Sequence, residues 1–309
     1  MTLPRAVVES TVAFRDVLSD DGTLLRAWTN DPDGVIEGPT VLLCNGLGTS
    51  PWSWPALLHT DCGVRVVSWQ HRGTSGSDRP LDPQRVGMEQ FVEDALSVMD
   101  HFALDRPVVM GWSVGVTTMF ELAAAHPERV SGLFAVAGVP GDTFSTTLGP
   151  LRFPRPAARA VTRTASQLLR FGGRVLTPLA GRIQVSPRVI DALGHTGLVF
   201  KVPDPELAAL ALQEFLSTPI EWYFHLALRT SHHSRVSLRR IKVPCLFVAG
   251  TWDVIAGACH MAAAAMQVRD GTYVEVRASH FVQIEQPDLV HQLLLDFLRR
   301  VDAVPGVSR

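Results

Sequence analysis

Short continuous apolar runs alternate along this chain with stretches whose apolar residues recur every three to four positions. Thr40–Cys44 (TVLLC) is an apolar run of strand length that meets a loop at Asn45-Gly46. Val64–Trp69, Pro107–Gly111, Leu133–Ala137, Val243–Gly250 and Thr272–Val276 read the same way. Between them, Met88–Phe102 sets Phe91, Ala95, Val98, Met99 and Phe102 at helical spacing. Val114–Ala125 reads as a helix stopped by His126-Pro127, and Pro287–Val301 as a closing helix. The segment Val12–Trp28 reads as an antiparallel hairpin broken at Asp20-Asp21-Gly22. Strand–helix alternation of this kind predicts the α/β class, with a mostly parallel central sheet flanked by helices.

The alternation lapses between residues 140 and 235, where the chain looks helical, proline-interrupted and free of strands. The expected organisation is therefore an α/β core from residues 1–139 and 236–309. A helical cap, or lid, spanning 140–235 is inserted after the fourth parallel strand.

Composition adds exclusions. A net charge of −2 gives no global attraction to nucleic acid. The first residues, MTLPRAVVESTVAFRD, lack the apolar run of a signal peptide, and no window reaches about 18 uncharged apolar residues. Cys44, Cys62, Cys245 and Cys259 form no CxxC pair, which suits reduced thiols and a cytoplasmic setting. Charge is uneven, however. Residues 141–200 hold eight arginines against Asp142 and Asp191. Arg152, Arg155, Arg159 and Arg163, then Arg170 and Arg174, fall at helix-face spacing, with Val161, Ala165, Leu168 and Leu169 on an apolar side. Such a helix is either the solvated face of a cap or a peripheral contact with an anionic membrane.

The strongest chemical signal is Gly111-Trp112-Ser113-Val114-Gly115, lying between an apolar strand and a helix. A strand turning sharply into a helix puts its central residue in strained backbone, and side chains at the flanks would collide. Ser113 would then project its hydroxyl at a helix N-terminus, where free N–H groups favour developing negative charge. Of the eleven histidines, His280 is placed to serve as its base, because it follows the strand Thr272–Val276 and precedes a closing helix. His101 and His126 have ordinary helix positions, and His232-His233 read as surface residues. Asp253 directly follows the strand CLFVAG and supplies the acid, with Asp142 the runner-up. The order Ser113, Asp253, His280 is the chain order this motif requires. Asn45-Gly46-Leu47-Gly48 after the first parallel strand offers the Leu47 N–H as an oxyanion donor beside that of Val114. Trp112, Trp252 and Phe281 adjoin these loops and are candidate substrate-binding residues, unless they simply pack in the core. Trp52 and Trp54 adjoin them too, and Trp222-Tyr223-Phe224 of the cap offers further aromatics to the same cavity.

Together these residues resemble the α/β-hydrolase fold family, in its serine-nucleophile, esterase- and lipase-like branch with a helical cap. His71-Arg72-Gly73-Thr74-Ser75-Gly76-Ser77 looks like the family's loop after its next strand, and Ser279-His280-Phe281 with Glu285-Gln286-Pro287 like its histidine loop. Two positions depart from the pattern. Asn45 stands where the family often has histidine, and Ser279 where it has glycine. The resemblance implies a carboxylic ester hydrolase acting on apolar acyl or lipid esters, with no cofactor and no metal. Epoxide hydrolases and haloalkane dehalogenases of this fold use aspartate at the elbow, so Ser113 points toward acyl transfer to water. C–C bond hydrolysis, a cofactor-free haloperoxidase-like activity and a non-catalytic ligand sensor remain the alternatives.

Overall fold

The computed structural model describes residues 12–303 except 148, 150–152, 197–198, 232 and 234–235. Arg152, His232, Arg235 at the expected end of the cap, and the first eleven residues lie outside the described set. Eight strands form one sheet: β1 (Ala13–Leu18), β2 (Leu24–Thr29), β3 (Thr40–Cys44), β4 (Arg65–Trp69), β5 (Val108–Trp112), β6 (Gly132–Val136), β7 (Cys245–Gly250) and β8 (Gly271–Val276). Their spatial order is β1-β2-β4-β3-β5-β6-β7-β8, and β2 alone runs against the rest.

Alternation along the strands explains the layering. In β3, Leu42 and Cys44 face one way and join Val98 and Met99 of α1 (Met88–His101) and Phe120 of α2 (Val114–Ala125). Val41 and Leu43 face the other way, in a second cluster with Leu294 and Phe297 of the closing helix Pro287–Asp302. Both faces of the central strands β3, β5, β6 and β7 are thus covered, which is why they are almost continuously apolar, whereas the edge strand β8 stays partly exposed and carries Thr272 and Glu275. The fold class and the parallel strands agree with the sequence reading to within two residues at each end. No described helix is long and apolar enough to cross a membrane.

Between β6 and β7 the described residues form helices and no strand: α3 (Arg155–Ala180), α4 (Pro187–Leu193), α5 (Pro205–Ser217) and α6 (Ile220–Ser231). Trp222 and Leu226 of α6 pack on Leu47, Val114 and Phe91 of the α/β body. The Trp222 indole N–H donates to the Arg72 carbonyl at 2.8 Å, and Arg79 stacks on its ring.

His71 lies fully buried between Trp69 and Phe91, with its Nδ1 unpartnered among the described residues. Burial pulls its pKa down to about 4 from the ordinary 6.5. The sign follows from proton uptake. Below pH 6.5 the unfolded chain protonates this imidazole while the folded chain does not, so stability is lost as pH falls from about 6.5 toward 4. Denaturant titrations at pH 7 and pH 4.5 are expected to differ by roughly 2–3 kcal/mol from this group, a difference that His71→Phe should largely remove. An unchanged pH slope in the variant would exclude His71 as its source.

Candidate active site

Four loops at the carboxyl ends of β3, β5, β7 and β8 converge, and each carries one expected group. Ser113 follows β5 with φ 57° and ψ −120°, a left-handed geometry that costs a non-glycine residue about 1–3 kcal/mol. Neighbouring packing holds it there. A Cβ on Gly115 would come within 1.8 Å of the Cys44 carbonyl oxygen, and one on Gly111 within 2.8 Å of the Gly115 carbonyl oxygen. Glycine is therefore required sterically, so that α2 can press its first turn onto β3. Gly115→Ala is expected to lose about 1–3 kcal/mol of stability and to shift the elbow. A variant that melts at the wild-type temperature would contradict that packing.

The serine hydroxyl lies 3.0 Å from His280 Nε2, and His280 Nδ1 lies 2.9 Å from Asp253 Oδ2. Asp253 is fully buried. Its other oxygen accepts the N–H groups of Ile255 and Ala256, each at 2.7 Å, which fixes the carboxylate plane. The structure thus brings Ser113, His280 and Asp253 into one hydrogen-bonded line. Asp142, the runner-up acid, is elsewhere engaged, pairing with Arg155 and Arg159.

The loop after β3 is braced by the residue that departs from the family pattern. Asn45 Oδ1 accepts the Gly46 N–H and the Trp54 indole N–H, both at 3.0 Å. Among the described residues, no carbonyl accepts from the N–H of Leu47 or Val114, which leaves both free for an incoming oxygen. The second departure is also used. Ser279 donates its N–H and its hydroxyl to Glu285, a buried carboxylate that takes a third hydrogen bond from the Phe200 N–H. Glu285 therefore anchors the histidine loop, and the sequence reading missed that role. Its signal was present in the six-residue spacing from Ser279, which a short helix, α7 (Val282–Glu285), brings back onto the loop.

A cavity of about 320 Å³ opens beside the Ser113 hydroxyl. Leu193, Val199, Val202, Leu212, Phe215 and Tyr223, all from the inserted segment, line most of its far wall. Of these six the sequence offered only Tyr223, within its Trp222-Tyr223-Phe224 trio; the other five were not found, because which side of each helix meets the body depends on how the segment docks. Trp112 and Phe281 also line the cavity, and the Trp112 indole N–H donates to the His280 carbonyl at 3.1 Å. Trp252 does not line it. That ring is 54% exposed, because the residues after Gly250 turn Asp253 inward and leave Trp252 on the outer side of the turn. Trp54 is buried in the core edge-on to Trp112, and Trp222 faces the body, so Tyr223 is the one ring of the Trp222-Tyr223-Phe224 trio that lines the cavity. His233 is half-buried against Glu121 rather than freely solvated. Among the described residues no cluster of three histidine, cysteine or acidic side chains could hold a metal ion.

Residues 39–176 match a family described as the alpha/beta hydrolase fold. The chain is 27% identical to epoxide hydrolase A of Mycobacterium tuberculosis, over 86% of this chain and 92% of that protein. It is 22% identical to 3-oxoadipate enol-lactonase 2 of Acinetobacter baylyi, over 93% and 97% of the two chains. Among solved structures it is similar to an esterase from Thermogutta terrifontis, with a TM-score of 0.66, 19% identity and coverage of 94% and 99%.

Proposed function

This chain is an α/β-hydrolase-fold protein, and from that premise we propose that it is a serine hydrolase of apolar carboxylic esters. One observation carries the reading: the unbroken line from the Ser113 hydroxyl through His280 to the buried Asp253 carboxylate. In the proposed cycle His280 Nε2 takes the serine proton as Oγ attacks the acyl carbonyl. Asp253 holds the Nδ1–H tautomer and stabilises the imidazolium. The Leu47 and Val114 N–H groups receive the oxyanion, and loss of one such donor typically costs about 3–4 kcal/mol. Protonated His280 then gives its proton to the leaving alcohol. Water repeats the sequence on the acyl-enzyme, releasing the carboxylic acid and restoring Ser113.

The largely apolar cavity supports an apolar substrate, with the 140–235 segment acting as the cap that supplies its wall. Enol-lactonase relatives are consistent with cyclic as well as linear esters. Epoxide hydrolase A is similar over most of the chain, but Ser113 occupies the elbow where the family's epoxide hydrolases carry aspartate. A serine alkoxide suits acyl transfer better than alkylation by an epoxide. A panel of p-nitrophenyl esters of rising chain length, run beside styrene oxide, tests the reading. Ester turnover with labelling by a fluorophosphonate probe is expected. Epoxide opening without labelling would refute it.

A further inference from the structure

The inserted segment carries a surface feature that Ser113 does not use. Helix α3 contains Arg155, Arg159, Arg163, Arg170 and Arg174 and no acidic residue. Ala158, Ser166 and Gly173 are its buried positions. Gly173 meets the backbone of Glu221 so closely that a Cβ there would lie 2.4 Å from the Glu221 nitrogen. These three residues mark the inward side of the helix. At 100° per residue, Phe171 then stands on the opposite side, and it is 89% exposed. Along one flank of Phe171 run Val161, Leu168, Val175 and Leu179, all more than half exposed. Along the other flank run Arg163, Arg170 and Arg174, which are exposed and have no carboxylate partner among the described residues. Arg155 and Arg159 are different, since both are held by Asp142 and fix the start of the helix.

The outward half of α3 is thus split lengthwise into an apolar strip and a cationic strip. An apolar strip of this size left in water normally marks a contact surface. The charge decides between occupants. A second copy of α3 laid on Val161, Leu168 and Val175 would bring arginine strips of like charge together, with no acid on the helix to offset them. An anionic lipid surface accepts both strips at once, the apolar side chains at the acyl boundary and the guanidinium groups on phosphates.

We propose that α3 is a membrane-docking helix for anionic bilayers, independent of the chemistry assigned to Ser113. The helix also sits close to the cavity. The Thr147 and Thr162 hydroxyls meet at 2.8 Å, and Thr146 donates to the carbonyl of Ile255, a cavity-lining residue. Docking through α3 therefore holds the rim of the cavity near the lipid.

The test is sedimentation of the full chain with vesicles of phosphatidylcholine alone, or of phosphatidylcholine with one third phosphatidylglycerol. Binding is expected only with phosphatidylglycerol, and it should weaken as salt shortens the screening length. The triple variant Arg163→Gln, Arg170→Gln, Arg174→Gln is expected to bind roughly 100-fold more weakly, at about fivefold per arginine. Leu168→Glu with Val175→Glu should abolish binding, and because both positions are exposed the variants should melt like wild type. Absence of wild-type binding at low salt, or binding unchanged in both variants, overturns the proposal. A dimer in sedimentation velocity that Leu168→Glu dissociates, without lipid binding, would assign the strip to a second copy instead.

Discussion

Replacing Ser113 with alanine is expected to lower kcat/KM for ester hydrolysis by roughly 10⁴-fold or more, while leaving the fold and substrate affinity in place. In the proposed mechanism the three side chains act as one proton-transfer unit, so His280→Ala should cost about as much, and the double variant little more than either single one. Among the described residues the serine Oγ makes no hydrogen bond besides the His280 contact. Stability should therefore hold, or rise slightly because alanine buries no hydroxyl. Initial-rate kinetics with a p-nitrophenyl ester and a parallel thermal melt separate the two quantities. Residual activity within tenfold of wild type would remove Ser113 from the mechanism.

The second large effect concerns stability alone. Arg72 and Asp94 form an ion pair in which both side chains are wholly buried, at 2.7 Å. Arg72 also donates to the Ser19 hydroxyl and the Arg85 carbonyl, and it pairs with Asp21. Burial raises the Asp21 carboxyl, but hydrogen bonds from Thr23 and Arg72 outweigh it and hold its pKa at about 2. The cluster joins the β1–β2 turn, the loop after β4 and α1. Removing one member leaves a buried charge without its partner, which typically costs about 3–5 kcal/mol. Asp94→Ala is therefore expected to lower the free energy of unfolding by that amount in urea titration. The joint change Arg72→Met with Asp94→Leu should lose much less. Equal losses in the single and double variants would show that volume, rather than unpaired charge, sets the penalty.

Much of this was legible before any coordinates. The run TVLLC corresponds residue for residue to β3, and Val114–Ala125 to α2, because strands buried on both faces must be apolar throughout and Pro127 ends the helix. The elbow was readable because its sterics need glycine at both ends. The spacing of Asp253 and His280 after β7 and β8 identified the loops that meet Ser113. Long-range docking was not legible. Nothing local in Leu193 or Phe215 states that each will face Ser113 rather than solvent. Trp252 was misplaced because its neighbour Asp253 is a reliable landmark for the turn but not for the side of it on which an adjacent ring falls. The roles of Asn45 and Ser279 emerged only once Trp54 and Glu285 were seen against them.

The order of the elements along the chain also has a consequence in time. Ser113 and its imidazole partner are separated by 167 residues. A ribosome adding roughly 5–20 residues per second needs on the order of 10–30 s to cover that interval. Throughout it, the nascent polypeptide carries its hydroxyl elbow with no base to deprotonate it. Under the proposed mechanism, hydrolytic competence therefore arrives late in synthesis, after the helix proposed to dock on lipid has already been made.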